Sequence, residues 1–198
     1  MEFELRRKAF HVGLGTLGLI LIHYDMFYLV PATALLLSGV AVSLVSRSKE
    51  LPVIEFLLDL AERDHHRSTF PGKGPASALL AAIVVVAAFD KDVALASVAA
   101  LTFGDSLSHL VGVRYGKVPN PLNREKDVEG FVAGFLATFA ASLFLLEPLT
   151  AGFASFTGMV VESLDAKIGR WSVSDNLTVP LAVAVSAYLL QNYVLPAL

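Results

Sequence analysis

Long apolar runs, each broken by a short polar stretch, follow one another along the chain. A helix needs about 20 mostly apolar residues to cross a bilayer. Seven stretches approach that length: roughly 9–24, 27–45, 74–89, 93–113, 130–146, 149–164 and 177–195. The third and sixth are short and suit tilted or broken helices. Arg6, Arg7 and Lys8 ahead of the first run imitate a signal peptide. No convincing small-residue cleavage site comes after it, so the run is expected to remain as a first helix. The pattern predicts an all-α, polytopic transmembrane bundle of about seven spans, with residues 1–198 forming a single integral membrane domain.

The polar breaks alternate in kind. Those at Asp25, at Asp90-Lys91-Asp92 and at Glu147-Pro148 are tiny, whereas every substantial loop falls on the opposite side. That side holds every lysine and arginine except Lys91. Basic residues favour the cytoplasmic face, which places the N-terminus in the cytoplasm and the C-terminus outside. In the longest loop, 46–73, Leu51, Ile54, Leu57, Leu58 and Ala61 recur at helical spacing. Glu55, Asp59, Glu62 and Arg63 fill the rest of the wheel. A helix over 50–63 is expected, lying on the membrane surface or packed between the second and third spans.

Composition narrows the function. The chain is 55% hydrophobic and 17% charged, with mean hydropathy +0.65, against about 25% charged residues in soluble domains. A net charge of −3 excludes a broadly basic nucleic-acid binder. The lack of cysteine excludes disulfides, thiolate metal sites and cysteine nucleophiles.

Three short patterns mislead. Gly13-Leu14-Gly15-Thr16-Leu17-Gly18 satisfies GxGxxG but lies inside an apolar span, where small residues serve close helix contact. Gly104-Asp105-Ser106-Leu107 spells the GDSL of a hydrolase family, yet no histidine follows His109 to act as the late base of that chemistry. The Gly72-Lys73 pair lacks the earlier glycine and the following Ser or Thr of a phosphate-binding Walker loop.

The informative polar residues gather near the basic side. Asp105 falls within the fourth span, where a carboxylate costs about 2.5–3.5 kcal/mol near mid-bilayer and must face the bundle interior. Ser108 and His109 share its face at i+3 and i+4. Glu162 stands comparably near the inner end of span six. Asp105-Ser106-Leu107 with Gly112 and Glu162-Ser163-Leu164 with Gly169 match at one constant offset. Lys73-Gly74 and Glu129-Gly130 open the preceding helices at nearly the same offset. This pattern suggests a degenerate parallel repeat, spans three–four and five–six, bringing two acidic residues to one site. Arg7, Lys8 and His11 begin span one, Lys126, Glu129 and Gly130 begin span five, and Asp175 and Asn176 begin span seven. Spaced carboxylates suit Mg²⁺, which takes one or two of them together with substrate phosphates. Lysines and arginines around it would hold the anionic remainder. Glycines 112, 116, 130 and 134 permit close backbone approach.

These residues resemble those of the CTP-dependent lipid-alcohol kinases: dolichol kinase, phytol and farnesol kinases, and the yeast-type diacylglycerol kinase. The resemblance rests on Arg7-Lys8 with His11, on Gly104-Asp105 with Gly112 and Gly116-Lys117, and on Lys126 with Glu129-Gly130. Glu162-Ser163-Leu164 and Asp175-Asn176-Leu177-Thr178-Val179-Pro180 look most like the phytol-kinase branch. Departures are Ser108, where the family often has a smaller residue, and Asp127, where it has Thr or Ser. The resemblance implies transfer of the γ-phosphate of CTP, with Mg²⁺, to the hydroxyl of a membrane lipid alcohol at the cytoplasmic face of the cell membrane. Asp105 and Glu162 are then the expected catalytic or metal-holding carboxylates, with Asp175 as a third metal ligand. Lys126 joins them in catalysis. Arg7, Lys8, Lys73 and Lys117 are the expected phosphate-holding residues, and Gly104, Gly112, Glu129, Gly130 and Asn176 would shape the nucleotide pocket. Two rival readings use the same residues: a cytidylyltransferase forming a CDP-lipid, and an ion-coupled transporter with buried carboxylates on its pathway.

Overall fold

A computed structural model describes residues 2–46, 71–164, 167–168 and 171–197. The expected helix over 50–63 lies outside the described residues. Seven helices run through the rest: α1 (Glu2–His23), α2 (Leu29–Ser46), α3 (Lys73–Ala88), α4 (Lys91–Tyr115), α5 (Val128–Ser142), α6 (Pro148–Ser163) and α7 (Asp175–Val194). Each coincides with one apolar stretch of the sequence. The main departure is α1, which begins at Glu2 rather than near residue 9 and so carries Glu4, Arg7 and Lys8 on its first turns.

By length and composition α2, α4 and α7 are apolar enough to cross a membrane. The apolar helices α3 and α5 have 16 and 15 residues, about 22–24 Å at 1.5 Å per residue, short of a hydrocarbon core of about 30 Å.

The expectation of a purely helical chain needs one correction. Two short antiparallel hairpins interrupt the bundle, β1 (Pro119–Asn120) with β2 (Asn123–Asp127), and β3 (Lys167–Ile168) with β4 (Trp171–Ser172). The first arises from turn chemistry. Pro119 and Pro121 cannot continue α4, and the Asn120 side chain accepts the Leu122 N–H at 2.9 Å, closing an Asx-type turn. Each hairpin comes after a helix pair, α3–α4 and α5–α6, so helix–helix–hairpin occurs twice in succession.

Helix α4 is the centre of the bundle and packs against α1, α3, α5 and α7, while α6 packs on α5 and α7. Helix α2 packs on α3 and buries only Ala32 and Ser43. Core and site occupy opposite ends. The buried apolar cluster, including Ile22, Val85, Val93, Leu146, Ala151 and Val183, fills the end of the bundle marked by the tiny turns. The hairpins close the other end, where α1 begins, α4 and α6 finish, and α5 and α7 start.

The α4–α5 contact is made by small residues at i, i+4 spacing. A Cβ on Gly130 would stand 2.6 Å from the Ser108 carbonyl oxygen, and one on Gly134 would stand 2.9 Å from Ser108 Cβ. Thr138 lies directly over Gly104. Backbone therefore meets backbone, as small residues allow between membrane helices. Within the GxGxxG pattern only Gly15 makes such a contact, against Thr102, while Gly13 and Gly18 have nothing within 4 Å.

Candidate functional site

The start of α1 and the end of α4 run antiparallel and are joined by a ladder of polar contacts. Glu4 Oε2 lies 2.8 Å from His109 Nε2, Lys8 Nζ donates to Asp105 Oδ2 at 2.5 Å, and His11 Nε2 lies 3.2 Å from the Leu101 carbonyl. The spacing explains the ladder: i, i+4, i+7 on α1 faces i, i−4, i−8 on α4, and both sets form one face of a helix. Lys8 also donates to the Asp105 carbonyl at 3.3 Å, and Arg7 bonds Glu4 at 2.9 Å. A π-helical turn, Ala100–Gly104, ends immediately before Asp105. Such a turn carries an extra residue and rotates the helix that follows it relative to a regular one. The Lys8 and Asp105 side chains are only 5% and 13% exposed. Such a pair persists because each charge offsets the desolvation cost of the other.

The second polar cluster is built around Lys126 on β2. Its ammonium donates to Glu162 Oε1 at 3.0 Å and to the Glu162 carbonyl, and lies 3.6 Å from Asp175 Oδ2. Glu162 is buried at the end of α6, and Asp175 is in the first turn of α7. Beside them, Asn176 Nδ2 donates to the Gly74 carbonyl at 3.0 Å, and the Ser77 and Ser174 hydroxyls lie 2.9 Å apart, tying the start of α7 to α3. The hairpin is also held through β1, where Asn120 Nδ2 donates to Ser163 Oγ at 3.0 Å.

Between the two clusters lies a cavity of about 140 Å³. Helices α4 and α5 line it with Ser108, His109, Gly112, Val113, Gly130 and Phe131, the hairpin with Asn120, Glu125, Lys126 and Asp127, and α6 with Glu162 and Ser163. Close packing of Gly130 on Gly112 forms its floor. The cavity presents an ammonium, carboxylates and an imidazole at one end of an otherwise apolar bundle.

The structure sorts the residues expected from sequence. Lys126, Glu162, Gly112, Gly130 and the face-sharing Ser108 and His109 line the cavity, and Asp175 joins it through Lys126. Asp105 and Lys8 form the adjoining ion pair, with Gly104 in the π turn before it. Arg7 is engaged by Glu4. Lys73 opens α3, where its carbonyl accepts from Ser77 Oγ at 2.7 Å. Glu129 accepts the Val118 N–H at 3.2 Å at the base of the hairpin, beside exposed Lys117.

The three carboxylates do not form one ligand set. Lys8 holds Asp105, and Lys126 holds both Glu162 and Asp175; among the described residues no three acidic or imidazole side chains gather at metal-ligand spacing. Glu162 and Asp175, by contrast, stand 3.0 and 3.6 Å from a single ammonium, so their oxygens lie within about 6.6 Å of each other. This pair already accommodates a cation between its members. It fits Mg²⁺, which needs only one or two carboxylates when substrate phosphates complete its shell.

Sequence reasoning did not foresee Glu4, Asn120 or the π turn. Glu4 was legible in principle, because Glu4, Lys8 and His11 keep helical spacing, but the apolar run alone starts α1 too late. Asn120 and the π turn carry no distinct local signal.

No family model matches the chain. No solved structure matches it significantly. Among curated proteins it is similar to one named probable phytol kinase, chloroplastic, from Triticum aestivum. The two are 28% identical over 137 residues, covering 60% of this chain and 44% of that protein. A probable phytol kinase 1 from Oryza sativa subsp. japonica is 28% identical over 140 residues, covering 61% of this chain and 43% of its own. A probable phytol kinase 2 from Glycine max is 26% identical, covering 60% and 45%. The chain therefore spans under half the length of the curated relatives it matches. The likeness to lipid-alcohol kinases, read first from short motifs, thus holds as measurable similarity to curated phytol kinases over 60% of the chain.

Proposed function

We propose that this protein is a lipid-alcohol kinase that transfers the γ-phosphate of CTP to the hydroxyl of a membrane isoprenoid alcohol such as phytol or geranylgeraniol. Polyprenols and diacylglycerol are the wider acceptor class. The observation that carries the reading is the placement of Lys126, Glu162 and Asp175 around a polar cavity at one end of an apolar bundle, in a chain similar to phytol kinases.

In this reading the phosphate donor enters the cavity from the aqueous side and the alcohol enters laterally from the lipid. Phosphoryl transfer is chiefly positioning and charge neutralisation. Lys126 releases its carboxylates and turns to the donor phosphates, while Lys8 keeps Asp105 fixed beside the cavity. Mg²⁺ held by Glu162 and Asp175 would supply charge neutralisation at the phosphates. The close contact of Gly130 with Gly112 leaves room for the donor against backbone.

The same reading has all seven helices crossing the cell membrane, the N-terminus and hairpins in the cytoplasm and the C-terminus outside, as the basic residues direct. The shorter helices are accommodated by local thinning of the bilayer.

Purified protein supplied with γ-labelled CTP, Mg²⁺ and a panel of phytol, geranylgeraniol, polyprenols and diacylglycerol should yield a labelled lipid phosphate and CDP. Parallel reactions with ATP, GTP and UTP identify the donor. Release of pyrophosphate with formation of a CDP-lipid would replace the proposal by the cytidylyltransferase reading. Absence of any nucleotide-dependent lipid product across the panel would remove it.

A further inference from the structure

The cavity has three walls made of helix and one made of the β1–β2 hairpin. A hairpin this short has little stability of its own, so its position depends on what ties it to the helices. Lys126 is one tie, but a phosphate-binding role requires that tie to break whenever the donor is bound. Another, at the turn end of the hairpin, is Asn120. It is 4% exposed and the only buried residue of β1 and β2. Both ends of its amide are engaged within the protein: Oδ1 accepts from Leu122 N–H at 2.9 Å and Nδ2 donates to Ser163 Oγ at 3.0 Å. Ser163 is fully buried and directly follows Glu162.

With both ends of its amide so engaged, Asn120 serves as a mount. We infer that Asn120 is a positioning residue that pins the hairpin to the end of α6 through Ser163, holding Lys126 opposite Glu162 and over the cavity when its own ion pairs open. One hydrogen bond sets the turn of the hairpin and the other sets the hairpin on the helix, so a single side chain fixes both shape and place. A buried hydrogen bond in such a position is costly to remove, because each remaining partner is left unsatisfied. The kinetic consequence rests on the kinase reading. The structural consequence does not.

The test uses the full chain in nanodiscs with Asn120→Ala, Ser163→Ala and the double variant. Ser163→Thr keeps the hydroxyl, and Asn120→Ser keeps a short turn-forming acceptor that cannot reach α6. Deuterium uptake by the peptide covering 119–127 should rise about tenfold in Ser163→Ala, at least as much in Asn120→Ala, which also loses the turn bond, and no further in the double variant than in Asn120→Ala. It should rise similarly in Asn120→Ser and stay near the parent rate in Ser163→Thr. In the lipid-kinase assay, KM for the nucleotide should rise about tenfold with kcat within threefold, and Ser163→Thr should restore it. A variant lost to misfolding leaves Asn120→Ser and Ser163→Thr to decide. Unchanged uptake in Asn120→Ser, or effects of the two alanine substitutions that simply multiply, would overturn the inference. A fall in kcat with unaltered KM would also count against it. If the parent shows no kinase activity, the kinase reading fails and the exchange results still decide whether Asn120 is the mount.

Discussion

Removing one member of the Lys8–Asp105 pair should destabilise the protein far more than removing both. A carboxylate considered by itself in an apolar span is a burden, and neutralising it should ease folding. The structure reverses the sign. Asp105 Oδ2 lies 2.5 Å from Lys8 Nζ, with the side chains 13% and 5% exposed, so Asp105→Asn leaves an ammonium buried with nothing of opposite charge in contact except through rearrangement. Breaking a buried pair from one side costs about 3–5 kcal/mol, whereas replacing both charges by uncharged groups of similar volume is often neutral. Lys8→Met and Asp105→Asn should therefore each lower stability by about that amount. The double variant should return most of the way to the parent, with His11, 3.8 Å from the same oxygen, left to bond the new amide. Reversible unfolding in mixed micelles, followed by far-ultraviolet circular dichroism, gives the four free energies of the cycle. Effects that add to within about 0.5 kcal/mol would refute the pairing. Lipid phosphorylation measured on the same preparations then separates fold from chemistry. A double variant that folds like the parent but phosphorylates about 10²-fold more slowly, the scale of one lost transition-state contact, assigns a role in the reaction to these charges. A folded and fully active double variant assigns them to architecture alone.

Gly130→Ala forces a Cβ to within 2.6 Å of the Ser108 carbonyl oxygen and should cost about 1–3 kcal/mol by overpacking. Gly13→Ala, with nothing within 4 Å, should be neutral or stabilising by about 0.5–1 kcal/mol, and equal effects at the two sites in the same melt would contradict the α4–α5 contact. Lys126→Gln leaves Glu162 and Asp175 facing each other without their shared cation. Mg²⁺ should therefore raise the Tm of this variant more than that of the parent, and an identical Mg²⁺ response would argue against a divalent site there. An epitope placed near Arg124 should be reached only from the cytoplasmic side of sealed membranes and one at Leu198 only from the other, so protection of both on the same side would overturn the seven-crossing topology.

The positions of the helices were legible in the chain because an apolar helical bundle makes one simple demand, an uninterrupted apolar run with its backbone bonds closed internally. That demand marks each of the seven helices to within a few residues, except where polar residues extend α1 back to Glu2. The residues with chemistry were legible for a related reason. Asp105, Glu162 and Lys126 are expensive in such a chain, and only a few places could bear them. Their partners were not, because pairing across helices depends on rotation and on the height at which helices cross. Lys8 is 97 residues from Asp105, and Lys126 is 36 from Glu162; neither separation leaves a local pattern. A π turn of five residues ends immediately before Asp105, with no distinct local pattern to mark it. The β1–β2 hairpin, too short to show an alternating pattern, brought Lys126 and Asn120 over the helix ends. Hydrophobic length is a property of each segment and is written in it, whereas the division of three carboxylates between two lysines is a property of the packed bundle, and only the tertiary structure could decide it.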